Sequence, residues 1–119
     1  MTGWGMVVHV PPERFEELVG EALDGIPEEL ARHIDNVVIR VQDESRAGLL
    51  GLYEGIPLTR REQYGALAMP DRITIYRNPI LRRSRTETEV VHQVRVTVIH
   101  EIAHHFGISD ARLHELGWA

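Results

Sequence analysis

His100, Glu101 and His104 stand in the order His-Glu-x-x-His. On a helix the two His lie about 40° apart and one turn along the axis, so both imidazoles face one point. That suits two nitrogen ligands of a tetrahedral Zn²⁺, each at about 2.0–2.1 Å. Glu101 sits about 100° round from His100, close enough to reach a water on such a metal and poorly placed to ligate it. A metal that lowers a water's pKa towards about 7, beside a carboxylate that takes its proton, supplies a hydroxide nucleophile. In a chain of this composition the bare motif is expected by chance about 0.04 times, and with Gly107 and an Asp or His at position 110 about 0.0004 times. Gly107 lets the chain leave a helix abruptly, and three residues are enough to bring the Asp110 side chain back to the metal. The alternative role for Asp110 is an N-cap of the last helix.

The extended pattern His100-Glu101-x-x-His104-x-x-Gly107-x-x-Asp110 resembles that of zincin metallopeptidases of metzincin type. It is most similar to the small bacterial zincin-like metallopeptidases, the minimal zincins. The likeness extends more loosely to Gly51–Gly55 and Asp71–Pro79. It implies His100, His104 and Asp110 as ligands of one Zn²⁺ per chain, and Glu101 as general base. It also implies an α+β fold, with a small mixed sheet packed on a long active-site helix, and a peptide or protein substrate. Two departures stand out. Asp110 is a harder oxygen ligand than the usual third His, which makes the bound water less acidic or the site less selective for zinc. A Met-containing turn after the motif is missing, because Met1, Met6 and Met69 all precede it. Glu115 is too close to the motif to serve as a third ligand from a second long helix.

These side chains need a helix to carry them. Thr86 and Glu89 have capping-box spacing, and the run from Glu87 to Phe106 places Val90, Val91, Val94, Val98, Ile102 and Phe106 at three- and four-residue steps. Its five Val favour strands, yet about 20 residues is too long for one. Ser109 or Asp110 caps a last short helix ending near Gly117. Upstream, Pro11-Pro12 opens a helix with its apolar stripe on Phe15, Leu18, Val19, Ala22 and Leu23, ended by Asp24-Gly25. A short helix follows from Pro27 to about Arg32. Strands are expected at Asn36–Gln42, Gly48–Tyr53 and Arg72–Arg77, with Asn78-Pro79 stopping the last, and Met6–Val10 is β-like. Glu54 to Pro70 has no period.

In that irregular segment, Tyr53, Glu54 and Tyr64 are candidates to border a cleft, and either phenol could donate to an oxyanion; core packing is the alternative. Arg72–Arg77 is a candidate edge strand for an extended peptide, or else an interior strand. His114 is the alternative candidate for the third ligand. His105 is expected to pack or meet solvent, and His9, His33 and His92 to be ordinary surface or core residues. Trp118 is expected to tuck onto the core.

The 119 residues suit one domain, 1–119. With no Cys, the chain excludes disulfides, thiolate metal sites and cysteine nucleophiles, and fits a reducing compartment. All 13 basic residues are Arg, and net charge is −5, which argues against nucleic acid as partner; Arg82-Arg83-Ser84-Arg85 reads as a solvated loop. No apolar run approaches the length of a membrane span, and the start lacks a signal-peptide pattern, so a cytoplasmic protein is expected. Three other functions share the motif: a metal-binding module without proteolysis, a hydrolase of a non-peptide amide, and a structural zinc site, which requires a fourth protein ligand.

Overall fold

The computed structural model of this chain describes residues 8–34, 36–55 and 70–118. Helix α1, Pro12–Asp24, starts with Pro in its first turn, where the missing N–H costs no hydrogen bond. Of its expected stripe, Phe15, Leu18, Val19 and Ala22 are buried and Leu23 is only partly so. Its end is closed by a distant cation: Arg95 donates from Nε to the Ala22 carbonyl at 3.2 Å and from Nη2 to that of Glu21 at 3.5 Å. A guanidinium there meets last-turn carbonyls, that of Ala22 also accepting from the Gly25 amide at 3.1 Å, and the negative end of the helix dipole. Helix α2, Glu28–Ala31, continues as a 3₁₀ turn over Arg32–Ile34, two residues past the expected end.

Three strands form one sheet: β1 (Val37–Gln42), β2 (Gly51–Glu54) and β3 (Asp71–Tyr76), in the order β1-β3-β2. β3 runs parallel to β1, with Ile73 opposite Ile39, and antiparallel to β2, with Ile73 opposite Tyr53. Of the two readings of Arg72–Arg77, an edge strand or an interior one, the structure takes the interior. Ile73 and Ile75 are fully buried, and flanking strands on both sides put β3 at the centre. Among the described residues the sheet's margins are β1 and β2. β2 also begins three residues later than expected, because Gly48 takes a left-handed φ of 70° in a turn where the Ser45 hydroxyl accepts from the amides of Ala47 and Leu49.

β3 ends at Tyr76, one residue before the expected Arg77, and the chain turns directly into helix α3, Arg77–Arg82, with Asn78-Pro79 in its first turn, a helix the sequence does not announce. Pro79 is the third helical residue, so its absent N–H is one that has no partner in a first turn. Part of the basic cluster thus lies on this helix, and Arg82 pairs with Glu44 at 2.8 Å. Of the stretch from Glu54 to Pro70 expected to have no period, Glu54 belongs to β2, while 56–69, Tyr64 among them, lie outside the described residues, as do residues 1–7.

Helix α4, Glu87–His105, is the centre of the molecule. The Thr86 hydroxyl accepts from the Glu89 amide at 3.1 Å, as capping-box spacing predicts, while the Glu89 carboxylate reaches one residue further back, to the Arg85 amide at 2.6 Å. α4 packs against α1 on one side and against β2 and β3 on the other. Arg95, which reaches α1, and Thr97, which meets β2, are about 200° apart on the helix. Such two-sided burial overrides the weak helix propensity of Val: Val90, Val94, Val98 and Ile102 are fully buried. Helix α5, Asp110–Leu116, returns along the end of α4 and is pinned by the fully buried Leu113, with Trp118 packed against the core behind it. The architecture is α+β. Among the described residues no helix is long and apolar enough to cross a membrane.

Candidate metal centre

The end of α4 builds the site by local rules. Gly107 adopts a left-handed φ of 76°. The Ile108 amide donates to the Ala103 carbonyl at 2.7 Å and the Gly107 amide to that of His104 at 3.2 Å. This pair is the hydrogen-bond pattern of a Schellman motif, and it reverses the chain within two residues. The Ser109 hydroxyl then accepts from the Arg112 amide at 3.1 Å and caps α5. Because Ser109 is the cap, the Asp110 carboxylate is left for another partner.

That partner is His104. Its Nε2 stands 3.2 Å from Asp110 Oδ1, with both side chains exposed, 58% and 71% respectively. Two donors on one tetrahedral ion with bonds of about 2.0–2.1 Å lie about 3.3 Å apart, so this spacing is one that a zinc ion accommodates. The His100 ring lies one turn back on the same helix face, 6.1 Å from the His104 ring between centroids and only 14° from parallel to it. The structure therefore brings His104 and Asp110 together and sets His100 beside them. Among the described residues no three His, Asp or Glu side chains converge into a closed metal-holding group. In chemistry alone, two imidazole nitrogens and one carboxylate are donors that zinc accepts.

Glu101 is half-buried and points to the sheet. Its Oε1 accepts from the main-chain amide of Tyr53 at 3.0 Å. Among the described residues its other oxygen takes no hydrogen bond. The Tyr53 phenol donates to Asp71 Oδ2 at 2.8 Å, and its ring stacks on His105 with centroids 3.9 Å apart. Tyr53 thus borders the site through its backbone and not as the oxyanion donor considered above, since its hydroxyl proton is directed to Asp71. Glu54 is ion-paired with Arg72 at 3.0 Å.

The remaining His are set apart by packing. His33 lies against the Phe106 ring at 4.5 Å, and His9, His92 and His114 are exposed. Asp71 and the Tyr53 amide are the site features that sequence reasoning misses. Both depend on the pairing of β2 with β3 and of β2 with α4, for which no local spacing gives a signal.

The model of the zincin-like metallopeptidase family matches residues 30–118. No curated protein matches the chain. Among solved structures, a conserved hypothetical protein from Thermo thermophilus is similar, with a TM-score of 0.55 at 24% identity. The alignment covers 82% of this chain and 94% of that one. At this identity the likeness speaks for the fold alone.

Proposed function

Because the chain belongs to the zincin-like metallopeptidase family, we propose that it is a zinc-dependent peptidase in which His100, His104 and Asp110 hold one Zn²⁺ and Glu101 is the general base. The observation that carries this reading is the 3.2 Å approach of His104 and Asp110, one turn from His100 on the helix that also bears Glu101. A zinc ion held there supplies polarisation of the scissile carbonyl and a lowered pKa for the attacking water. Glu101, with one oxygen tied to Tyr53, uses the other to take the water's proton and then delivers it to the leaving amine.

The position of β2 bears on the proposed base. The Tyr76 amide donates to the Leu50 carbonyl at 2.9 Å, so the backbone of Leu50 and Leu52 faces β3 while that of Gly51 and Tyr53 faces away from it, and Glu101 takes the Tyr53 amide. The strand beside the base is therefore β2 and not Arg72–Arg77.

Zinc-loaded protein incubated with a diverse peptide pool, with products read by mass spectrometry, tests the proposal. Wild type should yield products and Glu101→Ala none, with zinc retained in that variant. Loss of zinc from Glu101→Ala would remove Glu101 from the base role. The wide exposure of His104 and Asp110 favours a second reading, a zinc-binding module without turnover. Bound zinc with no products from the wild type would select it.

A further inference from the structure

We propose that Tyr53 is the positioning residue for Glu101 and that Asp71 holds Tyr53 in place, an inference that rests on the reading of Glu101 as general base. Tyr53 is held through its amide on Glu101, its phenol on Asp71 and its ring on His105, among other contacts. The strand register explains how one residue manages all three. Tyr53 is opposite Ile73 on β3, so Asp71 is its diagonal neighbour on the same face of the sheet, within reach of a long aromatic side chain. Tyr53 does not face β3 with its main chain, which leaves its N–H outside the ladder and directed at α4. His105 is one turn beyond Glu101, so the ring follows the same helix face that the carboxylate occupies.

A Glu side chain has three rotatable bonds, and half-burial alone does not select one of its conformations. The Tyr53 amide selects one by charge-assisted hydrogen bonding to Oε1. Asp71 acts at one remove: it fixes the phenol, the phenol fixes the strand residue, and the strand residue fixes the carboxylate. Catalytic groups lose rate steeply with misplacement, about 10²-fold for 1 Å.

Two measurements on the full-length, zinc-loaded chain test this. The first is amide hydrogen exchange read residue by residue by NMR. Protection at Tyr53 should fall in Glu101→Ala, whereas Leu52 and Glu54, which face β3, should keep theirs. Tyr53→Phe, which keeps the ring on His105, and Asp71→Ala should each lower protection at position 53 by about tenfold, the scale of one hydrogen bond. The second is peptide turnover. Tyr53→Phe and Asp71→Ala should lower kcat about ten- to hundredfold with KM unchanged, and Asp71→Asn, which keeps an acceptor oxygen for the phenol, should restore most of what Asp71→Ala loses. Unchanged protection at position 53 in Tyr53→Phe, or a raised KM with kcat intact, overturns the proposal. If the wild type cleaves no peptide, the peptidase reading fails by itself, and exchange at position 53 decides the positioning role.

Discussion

A β-carbon added to Gly51 would stand 2.6 Å from the Thr97 methyl and 3.1 Å from the Thr74 carbonyl oxygen. β2 can therefore lie on α4 only because position 51 has no side chain. Two residues on, Tyr53 meets Glu101, and two further on a β-carbon at Gly55 would stand 3.2 Å from His105 Cε1. Two strand residues span about 6.6–6.8 Å and four helical residues about 6.0 Å, so positions 51 and 53 of β2, and Gly55 just past its end, keep step with helix positions 97, 101 and 105.

Gly51→Ala should destabilise the protein by about 1–3 kcal/mol through overpacking against Thr97, read from urea unfolding. Thr97→Ser removes the methyl but keeps the hydroxyl that donates to the Gln93 carbonyl at 2.7 Å. The double variant should recover most of the loss. No recovery would mean that the Thr74 backbone, and not the Thr97 methyl, sets the strand's distance from the helix.

Zinc should stabilise the folded chain by mass action, by about 2.7 kcal/mol at a hundredfold excess over its Kd. A chelator should reverse the gain. Thermal unfolding of Asp110→Ala, His104→Ala and His100→Ala with and without zinc checks the ligand set. A full zinc-dependent shift in any of the three would exclude that residue as a ligand.

Gly107→Ala forces a β-carbon into the left-handed region, at a cost of about 1–2 kcal/mol. The reversal that delivers Asp110 to His104 depends on this residue, so zinc affinity should fall along with stability. Ser109→Ala should cost about 1 kcal/mol as a lost cap. Calorimetric zinc titration of the two variants separates the effects: Gly107→Ala should weaken binding more than Ser109→Ala.

Arg14 ties α1 to the start of α4, donating from Nη2 to Glu87 Oε1 at 2.9 Å and from Nε to the same carboxylate at 3.2 Å. That hydrogen bonding holds the Glu87 carboxyl below its ordinary range, against desolvation, with the charge of Arg14 adding to it. A carboxyl lowered in the folded state contributes stability that is complete above its unfolded value and is lost as pH falls through the folded one. Glu87→Gln should therefore be less stable than wild type at neutral pH and indistinguishable from it in strong acid. Urea midpoints measured across that range check the convergence.

The helical elements around the centre are legible because their signals are local. Thr86 and Glu89 mark the start of α4, Gly107 marks its end, and the three-residue steps between His104, Gly107 and Asp110 describe one reversal of the chain. α3 escapes such reading because Asn78-Pro79 is equally a strand stop and a helix first turn. Only burial of Pro79, Ile80 and Leu81 on the core selects the helix.

By itself the sequence determined which side chains share a helix face: His100 and His104 follow from the helical period, and the caps follow from residues within a turn of them. What only the tertiary structure decided is which strand lies beside that helix. Val37–Gln42 and Asp71–Tyr76 are both short and β-branched, and nothing within either segment states that β3 takes the centre and β1 a margin. That order comes from burying Ile73 and Ile75 completely and from the space left at Gly51. The amide of Tyr53 meets Glu101 across a separation of 48 positions, and hydrogen bonds of that range exist only after the sheet and the helix have packed.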